Sequence, residues 1–510
     1  MVLWIILAVY LLLMIGIGIY CSRQTSNVND FVLGGRSIGP WFTAFAYGTS
    51  YFSAVVFIGY AGQFGWNYGV SATWIGMGNA FIGSALAWAL LGKRTRIMTK
   101  HLDCSTMPEF FEKRYNSKSL KTTAAAIVFI FLIPYTASVY NGLSRLFESA
   151  FHIDYSICII AMAVLTAAYV ILGGYKATAV NDFIQGIIML AGIVMVVILV
   201  VKNCGGMSAA LEGLAAIPDN NGNTDTLNTL FGPDPINLVG VVILTSLGTM
   251  GLPQMATKFY AIKDDAAIKR GAIISTIFAI VVAGGSYFMG GFGRLYVTPE
   301  EITSNGKLVY DQIVPAMLET ALPEILVGIV VVLVLSASMS TLSSLVLTSS
   351  STLTIDLIKP LCKKGLDDKK QVLIMRVFIA VFIIVSVVIA LNKNTYITTL
   401  MSISWGALAG AFIAPYIYGL FSKKITKAAV WASFISGIVI TVGHMIIYTF
   451  GAIPDAPKTF LGIALPSPIN AGAFAMLFGL VLVPVVTLIT KQSEENKKYT
   501  EELFSSCFSK

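Results

Sequence analysis

Long apolar runs separated by short polar stretches make up almost the whole chain. Thirteen runs stand out, at residues 2–20, 41–64, 69–91, 123–148, 155–172, 182–201, 237–257, 271–291, 324–355, 371–391, 397–421, 428–449 and 471–490. Each is at least about 18 residues long and nearly free of charge, enough for a helix to cross roughly 30 Å of hydrocarbon. Backbone groups in lipid must pair within their own segment, so the runs are expected to be helices. The pattern predicts an all-α integral membrane protein of about thirteen transmembrane helices. Residues 1–490 form one transmembrane transporter domain in this reading, and 491–510 a charged, mobile tail. Val2–Tyr20 lacks a basic leader and a small-residue cleavage site, so it is expected to be a retained span. The stretches His101–Lys121 and Ala209–Pro235 mix apolar and polar residues and predict short surface helices.

Two runs are interrupted. The second carries a polar, glycine-containing patch at its centre, Tyr47-Gly-Thr-Ser-Tyr-Phe-Ser53. The seventh carries Gly248 and Gly251 and then Pro253, which removes a helical hydrogen bond. They lie five spans apart. Because five is odd, two successive five-helix units must face opposite ways, which predicts a 5+5 inverted repeat over about 41–201 and 237–421. One extra helix precedes the repeats and two follow. Matched Gly/Pro interruptions in two such halves point to a transporter's binding site. Taken singly, each is also explained by the frequency of Gly and Pro in membrane helices.

The ninth run reads Leu335-Ser-Ala-Ser-Met-Ser-Thr-Leu-Ser-Ser344. Ser336, Ser340 and Ser344 recur every four residues, so they share a helix face with Ala337 and Thr341 alongside. Two hydroxyls with carbonyls from a broken helix would suit a hard cation such as sodium. The same small-residue face would equally serve close helix packing.

Composition narrows the class further. Of 510 residues 56% are hydrophobic and 12% charged, against about 25% charged in soluble domains. The formal charge of +8 is not a nucleic-acid signature, because the basic residues alternate between loops. Alternate loops hold 28 of the 34, the intervening loops hold 5, and Arg145 lies within a span. By the positive-inside rule the N-terminus is expected outside and the C-terminus in the cytoplasm, in a multi-pass protein of the plasma membrane. The six cysteines are scattered without a CxxC pair, which argues against a disulfide framework or zinc site. Histidines 101, 152 and 444 are isolated, there is no GxxxxGK[ST] motif, and no acid–base cluster falls in the spans. These features argue against an enzyme and against a nucleotide-driven pump. A channel or a substrate-sensing receptor stays open on composition alone.

Five segments carry a family resemblance: Asp30-Phe-Val-Leu-Gly-Gly-Arg-Ser-Ile-Gly39, the YGTSYFSAVVFIGYAG stretch, Ile171-Leu-Gly-Gly-Tyr-Lys-Ala-Thr-Ala-Val-Asn-Asp182, Gly251-Leu-Pro-Gln254 and Ser338-Met-Ser-Thr-Leu-Ser343. In this fixed order they resemble the sodium:solute symporter family. The resemblance implies a LeuT-like fold with sodium as the coupling ion and no organic cofactor. It implies sodium ligands at the backbone oxygens of Thr49, Phe52 and Ala337 and the hydroxyls of Ser340 and Thr341. Asp182 matches an acidic residue on the sodium exit path of relatives; an acid facing a helix dipole is the other reading. The solute is expected beside Tyr47, Ser50, Tyr51, Ser53, Tyr135 and Gln254. Proline-type members carry an acid at Tyr51 and a Trp at Thr245, although Tyr135 matches one of their tyrosines. The stretches NDFIQGIIML, GLPQMATKFYAIKD and SYFSAVVFIG are more similar to the pantothenate-type branch. The expectation is import of a small carboxylate-bearing solute, such as pantothenate or a monocarboxylate, by alternating access, with proline as the alternative. The expected partners are that solute, sodium and lipid, without nucleic acid or an obligate protein.

Overall fold

The computed structural model describes residues 2–22, 27–304, 306–362, 366–392 and 397–508. Arg23, Lys363, Lys364, Lys393 and Lys510, which enter the loop-charge alternation, lie outside the described residues, as does the side chain of Cys21.

Among the described residues helix dominates, with two small hairpins in the loops, Thr303–Ser304 with Lys307–Leu308 and Thr459–Phe460 with Ile463–Ala464. The helices that position the site are α1 (Val2–Ser22), α2 (Pro40–Tyr51), α3 (Ala61–Tyr68), α4 (Met107–Tyr115), α5 (Lys118–Phe151), α6 (Tyr155–Asn203), α7 (Met207–Ala216), α8 (Pro235–Gly251) and α9 (Pro253–Ala261). They continue with α10 (Asp265–Ala279), α11 (Gly285–Gly290), α12 (Glu324–Thr352), α13 (Asp368–Ala390), α14 (Ile397–Phe421), α15 (Lys427–His444), α16 (Pro468–Ile489) and α17 (Glu494–Phe508). Among the described residues nine helices are long and apolar enough to cross a membrane, or ten if the bent pair α8 and α9 is one span.

The 49-residue α6 changes direction at Gly174, whose φ of +59° lies in the left-handed region. There the chain passes Phe31, whose ring would be 2.8 Å from any Cβ at this position. One helix thereby carries both the fifth and sixth apolar runs. α12 is buried along most of its length, and α6, α5 and α13 pack around it. α14, α15 and α16 pack closely against one another.

The tail differs from the sequence expectation. α17 is a docked helix with Thr500, Leu503 and Phe504 buried. Tyr499 donates a hydrogen bond of 2.5 Å to the Lys113 carbonyl, and the Arg114 guanidinium lies 5.0 Å from the Phe504 ring centre. Arg114 itself is fully buried. Its guanidinium donates to the carbonyls of Gly419 and Ser422, each at 2.7 Å, and so satisfies acceptors left open at the end of α14.

A charged clasp closes the opposite side of the bundle. Asp311, in the turn Tyr310–Gln312 between two spans, is buried, and its Oδ2 lies 3.6 Å from Arg145 Nε of α5. The same oxygen accepts from the Ile397 amide at the start of α14, at 3.3 Å. Burial pushes the Asp311 carboxyl up to about 6, against the pull of Arg145. The folded value stands above the ordinary Asp value of about 3.9. The group therefore adds stability fully present below about pH 4 and lost as pH rises through about 6. In a thermal-unfolding series, lowering the pH from 7 to 5 should add roughly 1 kcal/mol from this group. Asp311→Asn should abolish that increment while keeping an acceptor for Ile397.

Candidate functional site

The second apolar run breaks where its polar patch predicts. α2 ends at Tyr51, Phe52 is extended (φ −94°, ψ 114°), and the chain resumes as a wide turn over Val55–Tyr60 before α3. Unwinding leaves the carbonyls of Thr49 and Phe52 and the amide of Ala54 without their helical partners. The hydroxyl face of α12 supplies them. Ser338 Oγ accepts from Ala54 N at 3.1 Å. Ser340 Oγ donates to Thr49 O at 3.1 Å. Thr341 Oγ1 lies 3.1 Å from Thr49 O and 3.3 Å from Phe52 O. Both hydroxyls also reach the Ala337 carbonyl of their own helix, at 2.8 and 3.2 Å, the usual back-bond of Ser and Thr in a helix.

Five neutral oxygens therefore converge in a fully buried spot. Oxygens about 3 Å apart subtend roughly 80° at an ion about 2.4 Å from each, close to the right angle of an octahedral shell. The donor set contains no sulfur, imidazole or carboxylate. Its chemistry fits a hard, singly charged cation.

The seventh run breaks one residue before its proline. Leu252 is extended (φ −83°, ψ 129°) and α8 and α9 meet at a bend of 46°. The far halves of the two broken spans are clipped together, because Ile38 N donates to Ala261 O at 3.3 Å and Lys263 N to Ile38 O at 3.1 Å.

The residues expected to meet a solute are all at most 2% exposed. Tyr51, Tyr135 and Gln254 are alike in one respect. Both tyrosine hydroxyls and both amide atoms of Gln254 are buried without a hydrogen-bond partner. Polar atoms left in this way are available to a bound solute. Tyr47, Ser50 and Ser53 differ. Tyr47 donates to Gly83 O at 2.7 Å, Ser50 bonds Ala46 O and Ser344 Oγ, and Ser53 Oγ accepts from Val55 N. These three shape the break with polar atoms already engaged. Sequence reasoning missed Trp405, whose ring stands edge-on to Tyr135 at 5.8 Å, and Tyr287, whose hydroxyl is also buried and orphaned. The signal was present: Gly284, Gly285, Ser286, Gly290 and Gly291 flank Tyr287, and Ser402, Ser404 and Gly406 flank Trp405.

Asp182 is fully buried in α6, and among the described residues no hydrogen-bond donor meets its carboxylate. Its charge partner is Lys258 Nζ, at 4.0 Å. Lys258 counted as loop charge in the sequence, yet it belongs to α9 and is 1% exposed. The run 237–257 stops one residue short of it, because a lysine ends any apolar window.

Comparison with known proteins shows the family. Residues 31–437 match the model of the sodium:solute symporter family. The sodium/proline symporters of Staphylococcus aureus strains JH9 and NCTC 8325 are each 32% identical over 448 residues, covering 86% of this chain and 85% of theirs. Among solved structures, a sodium-coupled sialic acid symporter in a substrate-bound outward-open state superposes with a TM-score of 0.77 at 16% identity, over 97% of this chain and 99% of that one. A nucleobase-cation-symport-1 family transporter in a closed conformation gives 0.52 at 14% identity, over 94% and 100%. At those identities the structures speak for the fold alone.

Proposed function

The chain belongs to the sodium:solute symporter family, and from that premise we propose that it imports a small carboxylate-bearing solute together with sodium by alternating access. The observation that carries the reading is the oxygen cluster joining the break after Tyr51 to Ser340 and Thr341. In this reading the protein sits in the plasma membrane, N-terminus outside and C-terminus in the cytoplasm. Thirteen spans carry a 5+5 inverted repeat. Sodium binds first, at Thr49, Phe52, Ala337, Ser340 and Thr341, and its charge pins the unwound segment of α2 to α12. The solute then engages the orphaned groups of Tyr51, Tyr135 and Gln254. Because these atoms are closed off from water, entry and exit both require the bundle to rock. Asp182 lies on the way out of sodium.

Two solutes compete. Proline is favoured by the sodium/proline symporters among the relatives and by Tyr135. Pantothenate is favoured by the resemblance around Asp182 and Gln254, and by Tyr51 and Thr245, where proline-type members differ. Uptake of labelled proline and labelled pantothenate into proteoliposomes, under an inward sodium gradient and under an equal potassium gradient, tests both levels. The expected result is accumulation of one solute with sodium only. Equal uptake in both salts would end the sodium reading, and uptake of neither solute would end the assignment of substrate.

A further inference from the structure

Lys258 is a buried charge to which the proposed function gives no task. Its ammonium faces three side chains on two helices at once. Nζ donates to Ser344 Oγ of α12 at 3.0 Å, stands 4.0 Å from Asp182 Oδ2 of α6, and lies 5.1 Å from the centre of the Tyr175 ring. Ser344 Oγ is itself 2.9 Å from Ser50 Oγ, which holds the last turn of α2. Ser344 follows the sodium-cluster residues Ser340 and Thr341 by one turn of α12. The contact therefore sits next to that cluster and ties the far half of each broken span to α6 and α12.

The pair is incompletely closed. Hydrogen-bonded ammonium–carboxylate pairs approach to about 2.8 Å, and a buried pair offsets its desolvation only with such geometry. Here the carboxylate receives no hydrogen bond from the described residues, so it keeps its capacity to bind a cation. The cleft around the ammonium, lined by Val32, Thr178, Thr348 and Ser351 among others, has a volume of about 10 Å³, the room of about one water. A sodium ion taking this route cannot pass while the ammonium stays where it is.

We propose that Lys258 is a tethered cation that latches the exit beneath the sodium cluster, and that sodium leaves by changing places with it on Asp182 and Ser344. The inference rests on the sodium-symport reading and adds to it a residue that sets how readily sodium departs. Lys258 holds both broken spans shut while its ammonium sits between Asp182 and Ser344. A sodium ion descending from the cluster takes over those oxygens, the ammonium swings out, and the far halves, clipped through Ile38 and Ile262, are released together.

The test is inhibition of uptake by sodium inside the vesicle, measured in proteoliposomes loaded with graded internal sodium. Without the ammonium, Asp182 is open to sodium from inside. Lys258→Met should therefore be inhibited at an internal sodium concentration at least tenfold below that of the unmodified protein. Lys258→Arg should restore the original midpoint. Should Lys258→Met fail to insert, the double variant Asp182→Asn/Lys258→Met removes both charges, and it should transport with inhibition weakened at least tenfold. A midpoint unchanged in whichever of these variants inserts would overturn the latch. Loss of sodium dependence in the unmodified protein would instead overturn the reading beneath it.

Discussion

Replacing Ser340 and Thr341 together by Ala should abolish sodium-driven accumulation while leaving the protein in the membrane. The two hydroxyls are the side-chain members of the five-oxygen cluster, and each reaches a carbonyl of the broken span. Losing one buried hydrogen-bonding group costs about 1–2 kcal/mol, so losing the pair should raise the sodium concentration for half-maximal uptake by about 30-fold to 10³. The same substitution leaves the carbonyls of Thr49 and Phe52 without a partner on α12, so a modest fall in thermal stability should accompany it. Exchanging the two residues, Ser340→Thr with Thr341→Ser, keeps both hydroxyls and separates the effects. It should retain sodium dependence to within about tenfold. A double-Ala variant with an unchanged sodium curve would remove these groups from the ion's coordination shell.

Gly65→Val should yield no folded transporter at all. A Cβ at Gly65 would stand 2.0 Å from the carbonyl oxygen of Gly290, and one at Gly290 would stand 2.1 Å from that of Ala61. The helices α3 and α11 thus cross backbone against backbone, and no side chain can turn aside to make room. Overpacking a core by side chains costs about 1–3 kcal/mol, and a clash with main chain on both sides should exceed that range. Size-exclusion chromatography in detergent reads the outcome as loss of the monodisperse peak. Gly443 has nothing within 4 Å of a Cβ, so Gly443→Ala is the matched control and should elute unchanged.

What the sequence made legible was whatever breaks an apolar run. The polar patch at Tyr47–Ser53 and the Gly251-Leu-Pro253 segment stand out because hydrocarbon tolerates neither casually, and the chain unwinds at Phe52 and Leu252. The hydroxyl face of α12 was visible through its spacing of four, though not its contact with Thr49, which lies nearly 300 residues away. Arg114, Lys258 and α17 were not legible. Each is charged or charge-rich, and hydropathy assigns charge to water. Only tertiary structure shows that Arg114 ends a helix, that Lys258 faces Asp182, and that Phe504 covers Arg114. The orphaned hydroxyls of Tyr51 and Tyr135 follow the same rule, because whether a polar atom is satisfied depends on neighbours remote in the chain.

Because every oxygen in the cluster is neutral, nothing there would cancel the charge of an ion bound to it. Lys258 and Asp182 offset each other and add nothing net. The cargo alone then decides what current flows. With zwitterionic proline one positive charge would travel inward per cycle, and the membrane voltage would contribute about 2.3 kcal/mol per 100 mV. With anionic pantothenate and a single sodium the cycle would be electrically silent, driven by concentration alone. The identity of the solute is thus written into the electrical behaviour of the carrier.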